Sequence, residues 1–541
     1  METMKIHHKV YNNLIKIISL FREVLSKRNI ILVVNLLKIQ RCEQRKEAVE
    51  KKEYIFIDGI ISLDLVSILY FLVVTRLARK SKNKVVPVIL VKSYFHKFKF
   101  ANLLLGLLSN SRFLNLADKS HTTDDFNDLL SGENVARNRL LDYFINNYNY
   151  GVNVYTTILR NEKIGSFDEI DTNKIILSKI YWDNASYYIQ KFRPKMMLIS
   201  HQSYDSFGSL FGNALINDIY TVALIPYGKD YIAGKCYNSL EDFTEKNKSF
   251  YLSLSNETIE IVKEYSAQDR YHDLVEKYIE TRINGNDHLF EGHYHKNTIK
   301  FSEEDLMKKL KINTKYKRIV LLACHLYWDD PLHYKSVYED YQSWFRDTLR
   351  SLKQRNDTFI IVKAHPAEVA RGTNKSCFQD YHDICHNLEE SNSVFLYGNS
   401  EINTYSLIGL CDIVFTVRGT IGLEAVCMGK PVINVGESAY SDLDITNDFK
   451  DKVSYLDFIK TSLNSISTPS EAQIKFAKYF TYFYFNKGLQ SKIVNKNSLL
   501  YDHILSSSEI SHLEDNAIDH ACNKILGMTA GDITHINTND I

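Results

Sequence analysis

The chain is poor in proline and has no paired cysteine spacing: seven prolines stand among 541 residues, and the eight cysteines include no CxxC pair. Scattered thiols exclude a disulfide framework and fit a reducing cytoplasm, as does an N-terminus that does not read as a secretory segment. Charge of one sign is lacking as well. The 66 Lys and Arg balance 65 Asp and Glu to a formal net charge of +1, so no global field favours nucleic acid as a partner, and the 35 Tyr and 28 Phe form no stacking motif that would. No apolar run reads as a transmembrane helix. Ile60 to Val74 is shorter than the about 20 residues needed to span a bilayer and carries Asp64, which makes it an expected core helix. With 45% hydrophobic and 24% charged residues, what remains is a soluble globular class with room for two or three domains.

What is present is concentrated between Asp412 and Thr446, DIVFTVRGTIGLEAVCMGKPVINVGESAYSDLDIT. Asp412 to Val417 reads as a buried strand, Gly429-Lys430-Pro431 as a stop, and Pro431 to Val435 as a second strand, with one helix between them. The helix is expected to start at Gly419-Thr420, where Thr420 caps free N–H groups and Gly419 admits close approach to the main chain. Unpaired N–H groups and the helix dipole make such a start an anion site, with phosphate the expected anion. Glu424, one turn further, is placed to accept bonds from ribose hydroxyls. Taken alone, this pattern is also that of an ordinary βαβ unit. A second motif adds to it: Thr358 to Val362 reads as a buried strand that ends in Lys363-Ala364-His365-Pro366-Ala367-Glu368. Ligands of open parallel sheets bind beyond the C-terminal ends of strands, so His365 and Arg418 are expected on one sheet edge.

These residues carry a resemblance. The HP pair in KAHPAE, followed by RGTIGLEAVCMGKPVINVGESAYS, resembles the bacterial capsule and surface polysaccharide biosynthesis proteins. That resemblance implies an α/β glycosyltransferase of GT-B architecture, with two Rossmann-like parallel-sheet domains facing a cleft. The HP element with a hydroxyl-bearing helix start is also similar to that of bacterial sialyl-, polysialyl- and Kdo-transferases. In those families the HP histidine and the turn hold the donor phosphate, and a carboxylate of the other domain is the base. The match runs over roughly Lys317 to Thr446 and carries over His365, Thr420 and Glu424. Lys363, Arg418 and Gly419 join them as donor-binding candidates by position. The resemblance implies a nucleotide sugar as substrate, with CMP the preferred nucleotide, a glycan or lipid-linked acceptor, and no separate cofactor. Non-hydrolysing nucleotide-sugar epimerases and wall-polymer glycerophosphotransferases share the two-domain plan and an HP-like element. The epimerases usually carry an acidic pair after the glycine-containing turn, whereas Glu424 is followed by Ala425. A non-catalytic scaffold of a glycan assembly complex would keep the folds without needing His365, Thr420 and Glu424 together.

The remaining segments follow in order. Residues 1–52 form a basic helical segment with Leu14, Ile17, Ile18, Phe21 and Leu25 at helical spacing. It suits either packing on its own domain or an anionic membrane surface, at the inner face of the cytoplasmic membrane. Residues 53–255 are expected to be the acceptor domain. A strand at Tyr54 to Ile57 ends in Asp58-Gly59, and Asp58 is the candidate general base unless the pair is only a turn. A second strand, Val85 to Val91, contains Pro87 and so suggests an edge. His121 to Tyr150 reads as polar and helical. Lys195 to Ser200 is a strand followed by His201-Gln202-Ser203-Tyr204-Asp205, which offers His201, Tyr204 and Asp205 as cleft residues. Residues 256–316 read as a helical connection, whose His288, His293 and His295 lie in a glycine-containing loop and match no zinc spacing. Residues 317–468 form the nucleotide-sugar domain, opening with a strand at Arg318 to Ala323 and the loop His325-Leu326-Tyr327-Trp328-Asp329-Asp330, where Asp329 is a candidate contact. Asp442-Leu443-Asp444 reads as a loop, and no metal ligand is assigned. Residues 469–541 hold KFAKYFTYFYF, expected as a packed helix, and a tail that loses periodicity from about Asp515.

Overall fold

The computed structural model describes residues 52–58, 84–91, 112–119, 121, 126–227, 231–243, 253–254, 256–284, 298–332, 334–373, 376–385, 392–485 and 533–534. They belong to two compact units, the first drawn from 1–128, 175–246 and 487–541, the second from 129–174 and 247–486. The N-terminal segment to Lys51, the Ile60 to Val74 run, the three histidines of the 288–295 loop and nearly all of the tail lie outside the described residues.

The first unit is built on a seven-stranded sheet of order β15-β8-β7-β6-β1-β2-β3. Its members are β1 (Lys52–Asp58), β2 (Lys84–Val91), β3 (Arg112–Asn115), β6 (Met196–Ile199), β7 (Tyr220–Tyr227), β8 (Tyr231–Tyr237) and β15 (Ile533–Thr534). The run from β3 to β7 is parallel, and β8 and β15 add antiparallel edges. Ile55, Phe56 and Ile57 of β1 and all of β6 are buried, the continuous apolar pattern of strands covered on both faces. Pro87 does not mark an edge: β2 lies between β1 and β3. Among the described residues its pairing with β3 begins at Val88, so the residue lacking an N–H is paired there with β1 alone. Chain order reverses direction between β1 and β6, which makes this the switch point of a doubly wound sheet.

The second unit carries six parallel strands in the order β11-β10-β9-β12-β13-β14. They are β9 (Arg318–Ala323), β10 (Thr358–Lys363), β11 (Ser393–Leu396), β12 (Ile413–Thr416), β13 (Val432–Asn434) and β14 (Asn447–Asp448). Read from the first strand of the set, this is the dinucleotide-fold order 3-2-1-4-5-6, with its switch point between β9 and β12. Helix Tyr341–Lys353 starts at Asp340, whose carboxylate accepts from the Ser343 N–H at 2.6 Å. It buries Trp344, Phe345, Leu349 and Leu352 in the core that holds Val320, Leu322, Ile360, Val362 and Phe415. Two parallel α/β sheets are therefore present, as the sequence led us to expect. Among the described residues no helix is long and apolar enough to cross a membrane.

Three segments sit differently from the reading by sequence. Residues 129–174, expected in the first domain, pack with the second unit. There Arg137 reaches Glu339 at 2.9 Å and Asp340 at 3.0 Å, and Ser166 donates to Gln342 at 2.9 Å. The expected helix over 121–150 is mostly turns, because Asn146 and Asn147 both adopt left-handed backbone (φ 48° and 68°) that no right-handed helix accommodates. An antiparallel pair, β4 (Asn134–Ala136) with β5 (Glu169–Asp171), encloses helix Tyr150–Glu162 instead. The 256–316 segment is no bare connector either. Its helices Asn256–Ala267 and His272–Ile283 belong to the second unit, where Lys478 of helix Glu471–Phe485 holds Glu276 at 2.8 Å. The aromatic run KFAKYFTYFYF packs as expected, with Ala477, Tyr479, Phe480, Thr481 and Tyr484 buried.

Arg282 of the His272–Ile283 helix donates through Nε (2.9 Å) and Nη2 (2.6 Å) to Glu424 Oε1, with both side chains about nine-tenths buried. Removing one partner of such a pair leaves a buried charge uncompensated. Arg282→Gln is expected to destabilise the protein by roughly 3–5 kcal/mol, read as a lowered urea midpoint at unchanged m-value.

Candidate functional site

Three adjacent strand tails build the site. Lys363 of β10 pairs with Ala323 of β9, and Phe415 of β12 pairs with Leu322 of β9. Two residues past Lys363 and Ala323 stand His365 and His325, and the same step past Thr416 reaches Arg418. With parallel strands about 4.8 Å apart, the three side chains form a row across β10, β9 and β12 at the switch point.

His325 sits at the centre of this row. Its Nε2 accepts from the Val417 N–H at 3.2 Å and lies 3.2 Å from Thr416 Oγ1, which in turn accepts from the Gly419 N–H at 3.2 Å. Those bonds place the ring's proton on Nδ1. The ring stacks on Tyr341 with centroids 4.6 Å apart. Burial, with Arg418 and His365 nearby, pushes its pKa from 6.5 down to about 3, so the imidazole is neutral at pH 7. Reading the sequence assigned no role to His325 or Thr416. The available signal was spacing: His325 follows β9 by the same two residues that separate His365 from β10 and Arg418 from β12.

His365 is neutral too. Burial is the main cause of a pKa near 4, aided by Arg371 and Lys363 and opposed by Asp329. Its Nδ1 accepts from the Ala367 N–H at 3.1 Å, which leaves the proton on Nε2. A neutral His365 brings a hydrogen-bonding group and no charge, whereas Arg418 beside it is a fixed cation. The Arg418 guanidinium lies 5.3 Å from the Tyr334 ring centroid and 5.7 Å from that of Tyr341. Among the described residues only Nη2 has protein acceptors, the carbonyls of Tyr334 at 3.4 Å and Pro331 at 3.5 Å, while Nε and Nη1 are buried without a hydrogen-bond partner. Buried unpaired donors on a cation are costly and call for an anion.

Beside Arg418 the helix Thr420–Cys427 begins. Gly419, not Thr420, is the N-cap, and no side chain caps the helix; Thr420 is its first residue, so the expected capping hydroxyl is absent. Its first free N–H groups fit an anion no less for that. At Gly419 the backbone angle, φ −68°, asks for no glycine, and a Cβ there would stand a tight 3.1 Å from Thr416 Oγ1. Gly422 is tighter, its Cβ position lying 2.4 Å from the Tyr440 hydroxyl that donates to the Gly419 carbonyl at 2.6 Å.

Two expected donor contacts have other partners. Lys363 is 5% exposed and donates to the carbonyls of Tyr397 (2.9 Å) and Ala364 (3.3 Å), binding the tails of β10 and β11 together; burial lowers its pKa to about 8. Glu424 holds Arg282 instead of facing ribose hydroxyls. Asp329 accepts from Arg160 at 3.2 Å. Asp442, in the Asp442-Leu443-Asp444 loop, pairs with Lys450 at 2.7 Å.

In the first unit Asp58 ends β1 at the switch point, 1% exposed. Its Oδ2 accepts from the Ser200 N–H at 2.7 Å and from the Ser200 hydroxyl. His201 meets Phe207 edge-on at 5.3 Å. Tyr204 adopts φ 68°, ψ 156°, a region nearly reserved for glycine and worth ~1–3 kcal/mol of strain. Asp205 opens helix Asp205–Ile216 and is buried, accepting from Ser178 at 2.9 Å.

Residues 231–464 match the family described as capsule polysaccharide biosynthesis protein. The matched region contains both KAHPAE and RGTIGLEA, so the resemblance read from those motifs holds there. No curated protein matches the chain. Among solved structures, Thermosulfurimonas dismutans KpsC, beta Kdo 2,4 transferase, is 14% identical, over 53% of this chain and 79% of that one, with a TM-score of 0.30. The beta Kdo 2,7 transferase of the same KpsC is 13% identical over 61% and 89%, also at 0.30. A putative UDP-N-acetylglucosamine 2-epimerase from Listeria monocytogenes is 10% identical over 87% and 98%, at 0.23.

The two histidines have a consequence for stability. Their folded pKa values lie below the ordinary 6.5, so as pH drops the unfolded chain takes up protons first. The stability they contribute is complete above pH 6.5 and is lost as pH falls through about 4 for His365 and about 3 for His325. Between pH 6.5 and 4 the melting temperature of the wild type should fall further than that of His325→Gln, whose amide oxygen still accepts from Val417. Parallel curves would contradict this.

Proposed function

We propose that this chain, with its capsule polysaccharide biosynthesis region, is a glycosyltransferase that moves a sugar from a nucleotide donor, CMP-activated in the first instance, to a glycan or lipid-linked acceptor. One observation carries the reading: two buried nitrogens of Arg418, Nε and Nη1, have no hydrogen-bond partner among the described residues, beside the uncapped start of the Thr420–Cys427 helix at the switch point of a parallel sheet. As the glycosidic bond breaks, negative charge grows on the leaving phosphate. Arg418 and the helix start provide the fixed positive field, and neutral His365 and His325 provide N–H donors whose tautomers are already set. The scheme calls on no divalent metal. In the first unit Asp58 is the proposed base for the acceptor hydroxyl. The acceptor chemistry also supports work at the inner face of the cytoplasmic membrane.

Titrating the purified protein with CMP, UMP and GMP tests the donor site. His365→Ala should weaken binding of the preferred nucleotide by roughly 1.5–3 kcal/mol, the range for a hydrogen bond to a charged group. Arg418→Gln should cost at least as much, and unchanged affinity in both variants would remove the nucleotide from this row. Incubation with nucleotide sugars then separates transfer or slow donor hydrolysis from the isomerisation an epimerase would give.

For Asp58 the base and the strand-tying roles part in one variant. Asp58→Asn keeps the shape and an acceptor oxygen for Ser200. If Asp58 takes the proton, nucleotide affinity should survive while turnover drops by about 10²–10⁴-fold. A folded variant with normal turnover would place the base elsewhere, with Asp205 and His201 next to be tested.

A further inference from the structure

The 129–174 segment brings charge to the edge of the site. Helix Tyr150–Glu162 ends at Lys163, whose left-handed backbone (φ 57°) closes the helix. The Lys163 ammonium sits 3.4 Å from the centroid of the Trp328 ring. Trp328 is itself fully buried and donates through its indole N–H to Thr373 at 3.0 Å. Two residues before Thr373 stands exposed Arg371, which follows the short Ala367–Ala370 helix behind His365. Arg160, one turn before Lys163, reaches Asp329 of the β9 loop. Arg160 and Arg371 both act on the Lys163 ammonium, Arg371 and Asp329 both act on His365, and Asp329 is the one carboxylate acting on Lys163 among the described residues. Arg160 and Lys163 thus stand with Asp329, and Arg371 lies close to both Lys163 and the neutral His365. Neither Lys163 nor Arg371 makes an ion pair with a described residue.

We propose that Lys163, Arg371 and Arg160 form a second anion subsite beside His365, which takes a negatively charged group of the donor other than the phosphate bound at Arg418. The inference rests on the nucleotide-sugar reading given above and narrows it to donors with two anionic groups. A carboxylate on the transferred sugar and the second phosphate of a nucleoside diphosphate share this chemistry. Lys163 is fixed for the task by its backbone and its aromatic seat, so little side-chain freedom remains to be lost on binding.

The test uses the full chain carrying Lys163→Asn with Arg371→Gln; asparagine tolerates the left-handed backbone at 163. Calorimetric affinities are compared for CMP, for CDP and for CMP-linked sugars with and without a carboxylate. The double variant should bind CMP within about twofold of wild type, and should lose about tenfold or more for the ligand with the second anion, with a shallower salt dependence. Loss confined to the carboxylate-bearing sugar identifies an acidic sugar, and loss confined to CDP identifies a second phosphate. Equal weakening for CMP and the two-anion ligands, or no weakening, overturns the subsite. Should wild type bind no nucleotide at all, the donor reading fails by itself. The subsite is then judged with inorganic phosphate: phosphorus-NMR broadening present in wild type and lost in the double variant upholds it, and identical spectra overturn it.

Discussion

The site depends on one constraint, the parallel register of β9 with β10 on one side and β12 on the other. Ala323 opposite Lys363 and Leu322 opposite Phe415 set the level at which His325, His365 and Arg418 leave the sheet. Because strand side chains alternate faces, a slip of one residue would replace a member of that row by Ala364, Cys324 or Val417, all of them small or apolar. The slip is prevented by burial, not by the site: every residue of β10 and β12 is buried, so a shift would move whole apolar sets away from their partners.

Holding this row has a cost, and the core behind it supplies the support. Two neutralised imidazoles and a guanidinium with unpaired N–H groups are each less stable here than in water. Helix Tyr341–Lys353 holds them from below. Tyr341 stacks on His325 and lies near Arg418, and one turn on Trp344 donates to the Tyr455 hydroxyl at 3.2 Å, which also pairs with Thr348 at 2.7 Å. Polar groups satisfied inside the core fix the helix, the helix fixes Tyr341, and Tyr341 fixes the histidine ring. Electrostatic preorganisation at the sheet edge is thus a product of packing one layer deeper.

What was legible in the sequence follows from range. The β9 strand falls on Arg318 to Ala323 as read, and His365 and Arg418 share a sheet edge as read, because buried strands and their tails are local patterns. Lys363 and Glu424 were placed on the right elements but with the wrong partners. Their actual ones, the Tyr397 carbonyl and Arg282, are 34 and 142 residues away, and no local pattern announces them. Thr420 missed its capping role by one residue, within the usual scatter of helix boundaries. His325 was legible in principle from its offset after β9, but a lone histidine in an aromatic loop draws less notice than an HP pair. The attachment of residues 129–174 to the second unit rests on long-range contacts such as Arg137 to Asp340, so it could not be seen in advance.

Both sheets reverse direction between their first and fourth parallel strands, and in both the residue ending or following the first strand ties down the tail of the fourth. Asp58 accepts from the main-chain N–H and hydroxyl of Ser200, and His325 accepts from the main-chain N–H of Val417 and pairs with the Thr416 hydroxyl. The clasp is the same, but the chemistry left over is opposite. An imidazole that accepts through one nitrogen presents an N–H at the other, which suits an anion. A carboxylate that accepts from Ser200 offers acceptors only. The sheet bearing Arg418 uses the imidazole and the other sheet the carboxylate, so the two strand ends differ in the hydrogen-bonding character they present.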